Sequence, residues 1–211
     1  MDPVSVDTHF SVPAGVRLLV FDLDGTLYNK RGLPLRLVWA CRHSLSLLLA
    51  ERKARKQLKG VWFGSEDAFY SELFAAMAKS CSSTEQQAED WYNSVYMPAM
   101  VETLRRCCKA DAFLLSRLPL WHAEGMCLAV YSDYGEVEAK LHAVGIVPSL
   151  FDGLFSAPSL GGLKPASEGL LAVLRHFGVN PCNALMIGDR PDTDGAVAEN
   201  IGVKYIQYKA K

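Results

Sequence analysis

The chain has 211 residues, half of them apolar, with a formal net charge of -1 and a pI near 6.5. That balance argues against a nucleic-acid or membrane-surface protein, which needs a basic excess. The size suits one ordinary domain plus a sizeable insertion, enough to bury roughly 70% of the unfolded surface.

Residues 1–15 carry Asp2 and Asp7 and no apolar run, so they read as a frayed leader and not as a signal peptide. Leu18, Leu19, Val20, Phe21 and Leu23 follow, interrupted only by Asp22, and Gly25 comes just after. This predicts a short buried strand running into a tight turn. Side chains alternate along an extended segment, so Asp22 and Asp24 can point to the same side of the strand's carboxyl edge. Two carboxylates ~4 Å apart repel by roughly 4 kcal/mol at an effective dielectric of about 20, so a cation has to be recruited. Gly25 lets the backbone bend close to a ligand, and the Thr26 hydroxyl can fix the turn or hold an oxyanion. A plain Asx turn is the bland alternative; a catalytic acid pair is the favoured reading.

From residue 29 to 108 strand-like runs vanish. Leu37, Cys41, Ser44, Leu45, Leu48 and Leu49 fall at helical spacing and predict one amphipathic helix, running into the basic stretch Arg52-Lys53-Ala54-Arg55-Lys56. That stretch reads as a solvated helix end, its cations meeting the C-terminal turn, in preference to an anion-binding face. Gly60 and Gly64 bracket a turn. Further helices are predicted over 66–79 and 84–107, the second starting at Ser83 or Thr84 with Glu85 and kinked or split by Pro98. Inserted directly after the first acidic motif, these helices make a separate all-helical lobe. Trp39, Trp62 and Trp91 either line a pocket in it or pack its interior. No apolar run is long enough for a membrane span; the nearest, 33–50, is broken by Pro34, Arg36, Arg42 and His43.

Beyond the lobe, strand and helix alternate. An apolar helical face over 113–121 precedes a strand over 126–131 that ends at Ser132-Asp133. A helix over 136–144 is closed by Gly145, and a short strand covers 153–156. Lys164-Pro165 opens the next helix, with Pro165 at the first helical position. A strand over 184–187 ends at Gly188-Asp189, a helix starts at Asp192, and a last strand covers 203–208. The alternation predicts an α/β fold with a doubly wound parallel sheet and a site at its carboxyl edges. The six cysteines show no Cys-x-x-Cys pair and no zinc spacing to histidine, so they read as reduced thiols of a cytoplasmic protein. Asp22, Asp24, Ser132, Lys164 and Asp189 each stand at a strand end or at the mouth of the helix after it.

Asp22-Leu23-Asp24-Gly25-Thr26-Leu27 resembles the first motif of the haloacid dehalogenase-like (HAD) superfamily. Ser132 stands where the second motif puts a Ser or Thr, Lys164 where the third puts its lysine, and Gly188 to Asp194 resembles the acidic fourth. The resemblance implies a HAD-like core over 1–28 and 109–211, with 29–108 as an inserted helical cap of the C1 type. It implies a Mg2+-dependent phosphohydrolase acting on a small phosphorylated metabolite, a monomer or homodimer with no nucleic-acid or membrane partner. Asp22 would be the nucleophile that forms an aspartyl-phosphate, and Asp24 the group that gives and later takes a proton. Thr26, Ser132 and Lys164 would hold the phosphoryl group. Asp22, Asp189 and the backbone carbonyl of Asp24 would hold Mg2+, with Asp194 in support and Asp192 as a helix cap. Tyr28 and Asn29 would touch substrate or merely hinge the cap. A phosphosugar mutase of the β-phosphoglucomutase type and a non-catalytic HAD-like binding protein are the alternatives. One residue departs from the pattern: Asp133 follows Ser132 where many relatives carry an uncharged or basic side chain, and its charge would oppose a phosphate unless it points away.

Overall fold

A computed structural model describes residues 11–211, so the first ten residues of the expected leader lie outside the described residues. Five strands, β1 (Leu18–Phe21), β2 (Cys127–Ser132), β3 (Gly153–Ser156), β4 (Ala184–Gly188) and β5 (Lys204–Gln207), form one parallel sheet in the order β3-β2-β1-β4-β5. The first strand in sequence is thus the central one, with Leu18 opposite both Cys127 and Ala184. The chain winds outward through β2 and β3, then crosses β1 to lay down β4 and β5. The winding direction changes between β1 and β4, and in open α/β sheets a crevice for ligands lies at the carboxyl ends there.

Each residue of β1 is buried, and alternate residues feed different cores. Leu19 and Phe21 pack on one face with Leu128, Val130 and Trp121; Leu18 and Val20 pack on the other with Val173, Leu174 and Val197. A strand covered on both faces must be apolar throughout, which is why these strands read as continuous runs.

The inserted lobe comprises α1 (Leu33–Ala40), α2 (Leu45–Leu58), α3 (Glu66–Cys81), α4 (Glu85–Trp91) and α5 (Met97–Cys107). The single helix expected over 37–49 is in fact two. Ser44 breaks it: its hydroxyl donates to the Cys41 carbonyl at 3.3 Å and accepts the Trp91 indole N–H at 2.7 Å, which pins the break to α4. A widened turn over Tyr92–Tyr96 separates α4 from α5 just ahead of Pro98, as expected of a residue that lacks an N–H and crowds the preceding turn. Trp91 is buried within the lobe, Trp39 is exposed, and half-exposed Trp62 donates to the Leu160 carbonyl at 2.9 Å. That contact and the bond from Phe63 N–H to Gly161 O at 2.6 Å dock the lobe on the core. Only glycine fits at 161, since a Cβ there would lie 2.7 Å from the Ser65 nitrogen.

In the core, α6 (Ala112–Ala123) and α7 (Val137–Val144) cover one face of the sheet, and α8 (Ser167–Phe177) and α9 (Ala196–Asn200) the other. Pro165 is not the first helical residue. The chain turns instead, with Ala166 N–H on Leu163 O at 3.0 Å, and this turn aims Lys164 back at β1 before α8 begins. The helix expected from Asp192 is likewise a widened turn over Pro191–Gly195 that leads into α9. All six cysteines are free, and among the described residues no helix is long and apolar enough to cross a membrane.

Candidate active site

Asp22 directly follows β1 and keeps its register, its N–H donating to Ile187 O at 2.8 Å. Both carboxylate oxygens are held: Oδ1 lies 2.7 Å from Lys164 Nζ, and Oδ2 accepts the buried Thr26 hydroxyl at 3.1 Å. Lys164 Nζ also bonds Asp194 Oδ1 at 2.6 Å and the Tyr131 carbonyl at 3.2 Å. Burial pushes the Asp22 carboxyl up to about 6; Lys164 pulls it down, while Asp194 and Asp24 push it further up. Burial alone would lower Lys164, but Asp22 and Asp194 hold it well above the ordinary lysine range, so a buried ammonium stands between two carboxylates.

Asp24 has a different set of partners. Its Oδ2 pairs with Lys140 of α7 and accepts the Ser132 hydroxyl at 3.2 Å, and its Oδ1 accepts the Tyr28 hydroxyl. Burial would raise Asp24, but Lys140 and Tyr28 hold it below the ordinary carboxylate range. Tyr28 is wholly buried and fills neither expected role by contact, bonding Asp24 instead; Asn29 accepts the Arg31 N–H at 2.8 Å and lines a pocket with Gly25, Lys30 and Asp189. The two acids, adjacent on one strand end, thus lean on separate lysines.

A third lysine was not anticipated. Lys30 Nζ sits 2.6 Å from the Asp24 backbone carbonyl and 2.7 Å from Asp189 Oδ2. One carboxylate oxygen from each of Asp22, Asp189 and Asp194 lies within 4.8 Å of the others. The donors facing this point are all hard oxygens, and a cation already stands on two of them, so the residues present fit Mg2+. Gly25 makes the approach possible: its φ is +106°, and a Cβ would lie 2.6 Å from Asp189 Oδ2 and 2.7 Å from Lys30 Nζ.

Asp133 lines the cleft beside Lys164. Its Oδ1 accepts the Lys164 backbone N–H at 3.0 Å, so the residue that departs from the motif fixes the turn that carries the lysine. Asp192 does not cap a helix; it pairs with Arg190 at 2.7 Å and with Lys59 of the lobe. Asp194 takes the capping contact instead, its Oδ2 accepting the Arg190 N–H at 3.1 Å.

The basic stretch is also placed differently from the expectation. Arg55 is buried, paired with Glu51, bonded to the Tyr92 hydroxyl at 2.8 Å and to the Asp133 carbonyl at 2.9 Å, with its guanidinium 3.9 Å from the Tyr134 ring centre. With Arg52, Lys56 and Lys59 it walls a cleft of about 440 Å³ whose core side holds Lys164 and Arg190. Arg52, Lys53 and Lys56 are exposed, as a solvated helix end requires; Arg55 alone departs from that description. Of the three tryptophans, none lines this cleft; the aromatic there is Tyr134. The sequence did carry signals for the missed residues. Lys140 falls on the helical face of Val137, Leu141 and Val144, and Glu51 and Arg55, spaced i and i+4, share the face of Leu48.

The chain is similar in sequence and fold to known proteins. The chain is 28% identical over 198 residues, 90% of its length and 85% of the relative's, to a Clostridium perfringens (strain 13 / Type A) protein, PpaX, provisionally named a pyrophosphatase. Its fold matches a predicted phosphoglycolate phosphatase from Haemophilus somnus 129pt with a TM-score of 0.64 at 22% identity, covering 93% of this chain and 88% of that one. It matches a 2-haloacid dehalogenase from Pseudomonas syringae pv. Tomato DC3000 with a TM-score of 0.64 at 20% identity, covering 92% and 86%. The family model for haloacid dehalogenase-like hydrolases matches residues 16–202, and with that span the chain belongs to this family.

Proposed function

We propose that the chain is a phosphohydrolase that removes phosphate from a small phosphorylated metabolite, with Asp22 as its nucleophile and Mg2+ as its cofactor. The observation that carries this reading is Lys164, whose buried ammonium bridges Asp22 at 2.7 Å and Asp194 at 2.6 Å beside the oxygens of Asp24 and Asp189. The pyrophosphatase and phosphoglycolate phosphatase names of two of the similar proteins point the same way.

Asp22, Asp189 and the Asp24 carbonyl would hold Mg2+, which when bound neutralises the acids and the phosphoryl oxygens they face. Thr26 and Lys164 orient Asp22 so that one oxygen attacks phosphorus, giving an aspartyl-phosphate and dividing one hard displacement into two easier ones. Lys164 and the Ser132 hydroxyl offer donors to the phosphoryl oxygens. Asp24, which Lys140 and Tyr28 hold ionised at rest, would have to take up a proton as substrate binds in order to hand it to the leaving oxygen, and would later take one from the attacking water. That role favours phosphoryl transfer over dehalogenation, because a halide leaves without a proton. The helical lobe acts as a cap that keeps bulk water from the first step. The unpaired cysteines support a cytoplasmic setting.

The test is hydrolysis of p-nitrophenyl phosphate with Mg2+. Activity should be abolished by chelator and by Asp22→Asn while the variant keeps its circular dichroism spectrum. No turnover of any phosphate ester, with divalent cation still bound in calorimetry, would sink the enzymatic reading in favour of a binding protein.

A further inference from the structure

Between residues 29 and 64 stand nine lysines and arginines against a single acid, Glu51. The overall charge of -1 hides this local excess, and with it the basic surface that a membrane partner needs. Glu51 is buried and taken by Arg55, while Lys30 and Lys59 reach Asp189 and Asp192 of the core. Arg31, Arg36, Arg42, Arg52 and Lys53 are exposed and form no ion pair among the described residues. Four large apolar side chains stand among them: Leu35, 77% exposed, and Trp39, 71%, on α1, then Leu45, 43%, and Leu49, 64%, on α2. Each pair is spaced i and i+4, so it runs along one helix face, and the interior of the lobe is filled instead by Leu33, Leu37 and Leu48. Only the turn over Arg42–Ser44 separates the two pairs, and the Arg42 guanidinium sits 4.9 Å from the Trp39 ring centre. Cations recur one turn from the apolar residues: Arg36 and Arg42 lie three positions to either side of Trp39, and Arg52 and Lys53 three and four beyond Leu49.

A single exposed leucine is ordinary, but four large apolar side chains on consecutive helices, rimmed by unmatched cations, mark a docking face. Its charge selects the occupant. A second copy would bring cations onto cations, and a nucleic acid would leave three leucines without a role, since only aromatic side chains stack on bases. An anionic lipid surface meets both halves of the pattern. Leucine and tryptophan enter the boundary between headgroups and acyl chains, while the apolar stems of Arg and Lys carry their charges up to the headgroups. We propose that the α1–α2 face of the lobe docks on an anionic lipid surface, with Leu35, Trp39, Leu45 and Leu49 as its apolar contacts and Arg36, Arg42, Arg52 and Lys53 as its headgroup contacts. The lobe lies on the bilayer and does not cross it, which suits helices as short as α1 and α2. This docking is independent of the phosphohydrolase reading and stands or falls without it.

The experiment is co-sedimentation of the full chain with vesicles of phosphatidylcholine alone or with about one third phosphatidylserine. Partition should be at least about tenfold stronger onto the mixed vesicles and should fall as salt is raised, because exposed charges are screened. Tryptophan emission should move to shorter wavelength on those vesicles, and Trp39→Phe should remove the shift. Two double variants divide the contributions: Trp39→Ser/Leu49→Ser deletes apolar contacts, and Arg42→Gln/Lys53→Gln deletes charge. Each should weaken partition onto the mixed vesicles by at least about tenfold while keeping the circular dichroism spectrum and urea midpoint of wild type. No partition onto the mixed vesicles, equal partition onto both kinds, or wild-type partition by either variant would overturn the proposal. Retention on polyglutamate or RNA without partition onto the mixed vesicles would assign the face to an acidic protein or a nucleic acid and overturn it as well. A dimer that Trp39→Ser/Leu49→Ser dissolves, in a chain that ignores the vesicles, would give the face to a second copy and do the same.

Discussion

Replacing Lys140 with Met isolates the part of the site that the sequence motifs do not mention. Lys140 is fully buried in α7, and among the described residues its ion-pair partner is Asp24. Met keeps the length and apolar stem but removes the charge, which leaves the Asp24 carboxylate with Ser132 and Tyr28 as donors. Removing one partner of a buried pair typically costs about 3–5 kcal/mol, because the remaining charge is orphaned. A fifth of the Asp24 side chain stays accessible, so water can reach it, and the low end, about 3 kcal/mol, is expected. The effect has a defined pH dependence. Asp24 sits below its ordinary value of 3.8, so its stabilising contribution is present above that pH and lost as the pH falls through its folded-state value. Urea unfolding of wild type, Lys140→Met, Asp24→Asn and the double variant closes a cycle. The penalty of Lys140→Met should largely vanish in the Asp24→Asn background and should shrink below about pH 4. A loss under about 1 kcal/mol, or an undiminished loss once Asp24 is neutral, would refute the idea that this lysine exists to charge-balance the second acid.

Other outcomes follow from the same geometry. Burial raises Asp22 from 3.8 to about 6, so the folded state favours its neutral form; that contribution is full below 3.8 and lost as pH rises through about 6. In chelator, Asp22→Asn should therefore gain melting temperature relative to wild type as pH climbs through that window, and a flat difference would contradict the burial argument. Lys30→Met removes the cation standing on Asp24 O and Asp189 Oδ2 and should tighten Mg2+ binding by roughly tenfold, about 1.4 kcal/mol, read by calorimetry; unchanged affinity would mean that the lysine does not compete there. Gly25→Ala would force a Cβ to within 2.6 Å of Asp189 Oδ2 at a positive φ, so it should abolish turnover of p-nitrophenyl phosphate and weaken the cation site. Retained activity would show that the turn can open at little cost. Arg55→Met orphans the buried Glu51 and should destabilise by about 3–5 kcal/mol, most of it recovered by adding Glu51→Gln.

The middle of the sheet was legible because β1 and β4 are covered on both faces, so Leu18 to Phe21 and Ala184 to Ile187 had to be apolar and could hardly be anything else. Strand ends then located Asp22, Asp24, Ser132, Lys164 and Asp189 together. What local pattern could not reveal were contacts between distant elements. Nothing near Ser44 announces that Trp91 will pin it and divide a helix. Lys59 meets Asp192 only through the packing of lobe on core, which also turned Asp192 from the expected cap into an ion-pair partner. Lys140 shows the middle case: a charge on an apolar face is visible in sequence, but its counter-ion, 116 residues earlier, is not.

The central position of β1 has a consequence for how the molecule is made. Asp22 lies 142 residues ahead of the lysine that holds it, and both neighbours of its strand belong to the later part of the chain. During synthesis the inserted helices can find one another locally, whereas the Asp22 carboxylate has to wait beside unpaired backbone until β4 slots in. A chain halted before that strand would carry Asp22 without Asp189 or Asp194, so the carboxylate cluster is completed only by the last part of the chain.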